Sequence, residues 1–347
     1  MPRRWLAGVL GCGLGVGAQA AELRDCRAVR PVDAAGERVV GVEDIARDPA
    51  RDRLILSAYD RRAVARALAR GTTPPAGGLY ALPLDRLRAG EVPVERLAVR
   101  GLPGGGLRPH GLALADDTLA LVNRTVADGR IAPVVDRFTL AAEALVHRRR
   151  LADPRLCRPN DVAFAGDGRL LVTNDRGACA GPALWWERLA NRPWSFVLAF
   201  DDGEATVAAR GFRFANGIVA APAGVVVAAT RGRRLHHLAD GTTTALPFAP
   251  DNLTVAADGA IWAAGPVSLW RYAAFRAGWL ASPGASGVAR LGADGTVATF
   301  ALPAAELRGA TVALGLGGRV LSGAAYDDRL ALCRRPPAQA GVGRASR

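Results

Sequence analysis

Eight polar residues stand out in this chain for where they sit. Glu43-Asp44, His110, Asn160-Asp161, Asn216 and Asp251-Asn252 each stand at the head of a short apolar run. The runs are IARDPARDRLILSA, LALADDTLALVN (after His110-Gly111), VAFAGDGRLLVTN, IVAAPAGVVVAAT (after Asn216-Gly217) and LTVAADGAIWAA. Carboxylates and carboxamides are hard oxygen donors, the type that Ca²⁺ takes in sets of roughly six to eight. Gathered with few compensating cations, such groups are costly unless something sits among them. The local alternative is turn formation, since Asp and Asn favour strand starts and tight bends. One position repeated in five runs asks for more than that. A serine nucleophile on a sharp elbow is excluded, because no Gly-x-Ser-x-Gly occurs. Zinc is a poor fit, because no close Cys-Cys or Cys-His spacing occurs.

These residues would meet only if the runs themselves are repeats. A sixth run, VALGLGGRVLSGA, follows Ala310-Thr311, so the starts fall at 43, 110, 160, 216, 251 and 310. The spacings are 67, 50, 56, 35 and 59 residues, and a four-stranded propeller blade needs roughly forty to fifty. Each unit reads as a short strand, a polar or glycine turn and a second strand. Asp167-Gly168 and Asp258-Gly259 are strong hairpin signals. Further strand-like runs lie between the units, at 78–82, 194–200 and 287–300. The pattern predicts an all-β fold, a six-bladed β-propeller. A β-sandwich would not explain six returns of one motif. In a propeller the innermost strand of each blade lines the channel, so the eight polar residues would meet at one mouth.

Composition agrees. The chain has 347 residues, half of them apolar, with 41 glycines and 22 prolines. That suits a large, turn-rich core and excludes disorder, collagen and helical bundles. The net charge is +13, carried wholly by arginine, since no lysine occurs. The arginines are scattered, which argues against a nucleic-acid surface, while general attraction to anionic membranes would follow.

The amino terminus is read as an export signal over 1–20. Arg3-Arg4 precede an apolar run from Trp5 to Ala18 and a small-x-small site at Ala18-Gln19-Ala20. A lipoprotein box at Cys12 and a twin-arginine signal fit less well. The propeller is assigned to 21–335 and a disordered tail to 336–347. Without Cys12 four cysteines remain, Cys26, Cys157, Cys179 and Cys333, an even count that suits disulfides in an exported chain. Three pairings are open, and one of them joins Cys26 with Cys333 and Cys157 with Cys179.

Seven short stretches carry a resemblance. They are GVEDIA at 41–46, RPHGLAL at 108–114, RPNDVAF at 158–164, VTND at 172–175, GFRFANGI at 211–218, PDNLTV at 250–255 and GATVA at 309–313. In order and position they resemble the paraoxonase/arylesterase family, exported calcium-dependent six-bladed propellers that hydrolyse lactones and aryl esters, over residues 26–334. The resemblance implies two Ca²⁺ ions. A catalytic ion would be held by Glu43, Asn160, Asn216, Asp251 and Asn252. A structural ion would be held by Asp44, Asp161 and the carbonyl oxygen of Leu112. It also implies the Cys26–Cys333 disulfide, ring closure by the terminal strands, and a short helical lid near 179–190, where Trp185 and Trp186 would form an apolar lid or a membrane-facing patch.

One departure bears on mechanism. Where the family has a second histidine partnering the first, this chain has Arg124. Arginine cannot accept a proton, and a cation there would keep His110 neutral. The expectation is therefore a hydrolase acting on a small-molecule ester or lactone, with Asp251 or His110 as the base, in a monomeric chain that binds no nucleic acid. The alternatives are a calcium-stabilised propeller without chemistry and a strictosidine-synthase-like enzyme. His147, His236 and His237 are expected at the surface.

Overall fold

The computed structural model describes residues 20–141 and 144–336. The expected export signal and tail lie outside the described residues, apart from Ala20 and Pro336. Each of the six apolar runs forms an antiparallel hairpin, and further strands extend it outward into a sheet. The six sheets are six blades.

The inner strands are Val42–Asp48, Pro109–Ala115, Pro159–Phe164, Ala215–Ala221, Leu253–Val255 and Val312–Leu316, in blades 1 to 6. Left-handed residues turn the first hairpins: Asp52 in blade 1, Asp116 in blade 2, Gly168 in blade 3 and Gly259 in blade 5. Glycine adopts that conformation at little cost, and Asp tolerates it better than most residues.

The strands are apolar on both faces because each blade is covered on both sides. Alternation then decides which neighbour a residue meets. Leu54 and Leu56 pack with Val312 and Leu321 of blade 6, while Ile55 between them packs with Leu112 and Leu121 of blade 2. Val226 and Ala228 face blade 5, and Val227 and Ala229 face blade 3. Six apolar layers, one per blade junction, replace a single core.

The ring closes as expected. Arg24–Val32, near the amino terminus, pairs with Leu330–Arg334, so blade 6 is built from both ends of the chain. Cys26 and Cys333 are bonded across that seam, 307 residues apart, and Cys157 is bonded to Cys179. Ala21–Glu22 adds a parallel edge to blade 5.

Among the described residues three α-helices interrupt the strands: α1 (Arg61–Ala69), α2 (Gly181–Leu189) and α3 (Leu269–Arg276). Each joins the second and third strands of its blade, in blades 1, 3 and 5. In an up-and-down sheet that connection returns to the end where the inner strand begins. All three helices therefore stand at the mouth where the polar residues gather, and the lid comprises three helices rather than the one expected at 179–190.

Candidate functional site

The inner strands start irregularly. Pairing with the second strand skips Glu43 in blade 1, Asn160 and Asp161 in blade 3, and Asn216 and Gly217 in blade 4. Blade 2 breaks register beside His110. Such bulges free residues from the ladder and redirect their side chains. Two glycines let the starts crowd together. A Cβ on Gly111 would lie 2.3 Å from Asp161 Oδ1, and one on Gly217 would lie 2.5 Å from the Asp251 carbonyl oxygen.

Glu43, Asp44, His110, Asn160, Asp161, Asn216 and Asn252 are all buried at this mouth, and Asp251 is half-buried. Three asparagines share one feature, a buried side-chain oxygen left open. The Asn252 amide nitrogen donates to the Glu43 carbonyl (2.9 Å). The Asn216 amide donates to Thr230 Oγ1 (3.0 Å) and to the Asp251 carboxylate. The Asn160 side chain lies beside the Asp175 carboxylate. Oδ1 of all three is buried and accepts nothing from any described residue. An unpaired buried oxygen costs about 1–3 kcal/mol, and here three blades aim such oxygens at one mouth.

Asp44 and Asp161 are deeper. Asp44 accepts from Ile45 N (2.8 Å) and from Leu112 N (2.9 Å) of blade 2. Asp161 accepts from Val162 N and from Ile218 N of blade 4, both at 2.8 Å. Each carboxylate thus braces its own blade against the next. Burial and its neighbour Glu43 raise Asp44 to about 7, against the backbone N–H bonds. Burial and Asp44 push Asp161 well above the usual range. Burial and Glu43 raise Asp251 to about 8. Repelling carboxylates in a dry mouth need a cation.

The donors fit Ca²⁺. Among the described residues no three His, Cys, Asp or Glu side chains converge on one point. The set is carboxylate, amide and backbone oxygen, the hard ligands calcium prefers.

His110 sits between charges. Its Nδ1 contacts the Glu43 carboxylate and lies 2.9 Å from Arg61 Nη2. Burial and the Arg124 guanidinium hold its pKa well below the ordinary imidazole range, with Arg61 adding to them. It is neutral at neutral pH, as the Arg124 departure implies. Glu43 stays ionised despite burial, held by the Arg61 guanidinium and by a side-chain hydrogen bond with His110. Arg61 Nη2 lies 2.9 Å from Glu43 Oε2 in ion-pair contact.

Sequence reasoning missed Arg61 and Asp175. Arg61 opens α1, where Asp60 caps the helix by accepting from Ala63 N (2.9 Å). The only local signal was Asp60 ahead of a helical run. Asp175, raised by burial, ends the VTND stretch. One expectation is corrected: the other histidines are half-buried rather than exposed at the surface. His147 lies beside the fully buried Asp136 (3.1 Å), His236 stacks edge-on against Phe212, and His237 bonds Thr244 (3.0 Å). Each is held by packing between outer strands.

The rim carries exposed aromatics. Trp185 and Trp186 on α2 are 65% and 45% exposed, and Trp270 and Trp279, on and after α3, are 67% and 83% exposed. Among the described residues no helix is long and apolar enough to cross a membrane.

Comparison with known proteins now bears on this geometry. The family profile described as Arylesterase matches residues 71–332. Serum paraoxonase/arylesterase 1 of Homo sapiens is 27% identical over 133 residues, 37% of this chain and 38% of its own length. Its Rattus norvegicus counterpart is 29% identical over a match of the same extent. The matches therefore span about two fifths of these curated relatives. A solved putative gluconolactonase has a TM-score of 0.52 over 90% of this chain and 94% of its own, at 17% identity, a likeness of fold alone. Glu43, Asp44 and Cys26 lie outside the profile match.

Proposed function

The chain belongs to the arylesterase family, matched over 262 of its 347 residues, and from that premise we propose that it is a calcium-dependent hydrolase of lactones and aryl esters. One observation carries the reading: three asparagine oxygens, from blades 3, 4 and 5, are buried at one mouth with nothing to accept from any described residue. A hard cation supplies what they lack.

In this reading Glu43, Asn160, Asn216, Asp251 and Asn252 hold the catalytic ion. Asp44, Asp161 and the Leu112 carbonyl hold a second, structural one. Bound calcium supplies polarisation of the substrate carbonyl and stabilisation of the charge that develops on its oxygen. The chain supplies the remainder. Asp251, half-buried at the mouth beside the ion it would help to hold, takes the proton from the attacking water at its carboxylate. His110 is too weak a base to compete, and we assign it to shaping the pocket and orienting the ester. The Tyr59 ring, with the Arg61 guanidinium 4.2 Å from its centre, walls the same side. Two disulfides support export to an oxidising compartment. The exposed tryptophans support peripheral association of a monomer with a membrane surface.

The test is a panel of aryl esters and lactones assayed on protein stripped with EDTA and then reloaded with Ca²⁺. We expect turnover to vanish and return. Calcium binding with no turnover on any substrate would favour the non-catalytic propeller, which the arginine at position 124 would then explain.

A further inference from the structure

The inner strands lead from the oxygen-rich mouth to the opposite end of the ring, and a cavity lies there. Its volume is about 350 Å³, and Arg47, Leu87, Trp262, Arg290, Leu316 and Arg319 are among its lining residues. Topology agrees with that place. Arg47 and Leu316 are at or next to the far ends of the inner strands of blades 1 and 6, and Arg319 and Trp262 lie at the starts of second strands.

Three N–H donors of these lining residues are buried and reach no acceptor among the described residues: Trp262 Nε1, Arg47 Nε and Arg290 Nε. Trp262 is only 2% exposed. A buried donor left unpaired carries its whole desolvation penalty, so each such group calls for an explanation. The charge is one-sided. Three guanidiniums face one carboxylate, Asp258, which pairs with Arg290 at 2.9 Å. Arg47 forms no side-chain hydrogen bond or ion pair with any described residue. Gly315 lets the indole lie close against the blade 6 backbone and so fixes its place in the wall, since a Cβ there would lie 2.3 Å from Trp262 Nε1. Leu84, Leu87 and Leu316 complete the lining with apolar surface.

We propose that this far-side cavity binds a small organic anion, headed by a carboxylate or phosphate and carrying a short apolar body. Guanidinium forks and an indole N–H match such a headgroup, and the leucines match the body. The site is separate from the calcium mouth and does not depend on the hydrolase reading.

Isothermal titration of the whole protein with octanoate and octyl phosphate tests this, with octylamine as the cationic control. Octanoate or octyl phosphate should bind and octylamine should not, and the tighter of the two anions identifies the headgroup. Arg47→Gln should weaken binding about tenfold or more, the scale of one lost charged hydrogen bond. Gly315→Ala should weaken it with no change of charge. Arg47 has no side-chain partner among the described residues to lose, so its variant should keep the wild-type melting temperature even if Gly315→Ala fails to fold. Failure of both anions to bind, or equal binding by wild type and Arg47→Gln, would overturn the proposal.

Discussion

An asparagine with its nitrogen tied and its oxygen left open is poor design for stability and good design for a ligand. The amide of Asn216 is held by Thr230 and Asp251, so its oxygen is oriented before any ion arrives. Asn216→Ala should lower calcium affinity by about tenfold or more, the scale of lost support around a metal site, and activity should fall with it. Calcium titration beside a kinetic assay checks this, and affinity without change would remove Asn216 from the ligand set. His110 is the contrasting residue. Its low pKa makes it a weak base, so His110→Gln should keep calcium affinity and cost only a few-fold in kcat. A loss near a hundredfold, the usual scale for a general base, would return the base role to His110.

At the scale of elements, the bulged strand starts and the three mouth helices decide the site. Helix α1 delivers Arg61 to Glu43, where the cation competes with any metal for the carboxylate. Arg61→Gln should therefore have two opposite effects. Calcium affinity should rise, because a repelling charge leaves the mouth. The melting temperature in EDTA should fall, because Glu43 is then buried without a cation, and removing one partner of a buried pair is strongly destabilising. A fall in both would show that Arg61 mainly holds α1 in place.

Across the whole molecule, a mouth that holds calcium would make stability depend on metal and pH together. Without calcium, the folded chain holds Asp44 near 7 and Asp251 near 8, and Asp161 is also raised. Unfolded aspartates titrate near 3.9. The folded state thus binds more protons between those values, and stability falls as pH rises from about 4 to about 8. We expect the melting temperature in EDTA to drop across that window and millimolar Ca²⁺ to reverse the drop. At a hundred times Kd the ion adds about 2.7 kcal/mol. A melting temperature indifferent to both EDTA and pH would count against the calcium centre. The ring seam is the other global element. Cys26–Cys333 closes a loop worth about 5 kcal/mol in the chain-entropy account. Replacing both cysteines with serine should lower the melting temperature by more than the Cys157–Cys179 pair does, since that loop spans only 22 residues.

Local patterns were enough to read six hairpins, because a strand's alternation and an Asp-Gly turn belong to adjacent residues. They were enough to place Glu43, Asn160, Asn216 and Asn252 at matching strand starts, and so at one mouth once a ring was inferred. They could not show which atom of each amide is left open. That depends on partners such as Thr230 and the Glu43 carbonyl, 14 and 209 residues away. Nor could they show that Arg61 meets His110, since a helix between outer strands reaches the mouth only through the folded path of its blade. The alternation that sends Leu54 one way and Ile55 the other is written in the sequence. The blade each one meets is set by closure of the ring, which links residues some three hundred positions apart.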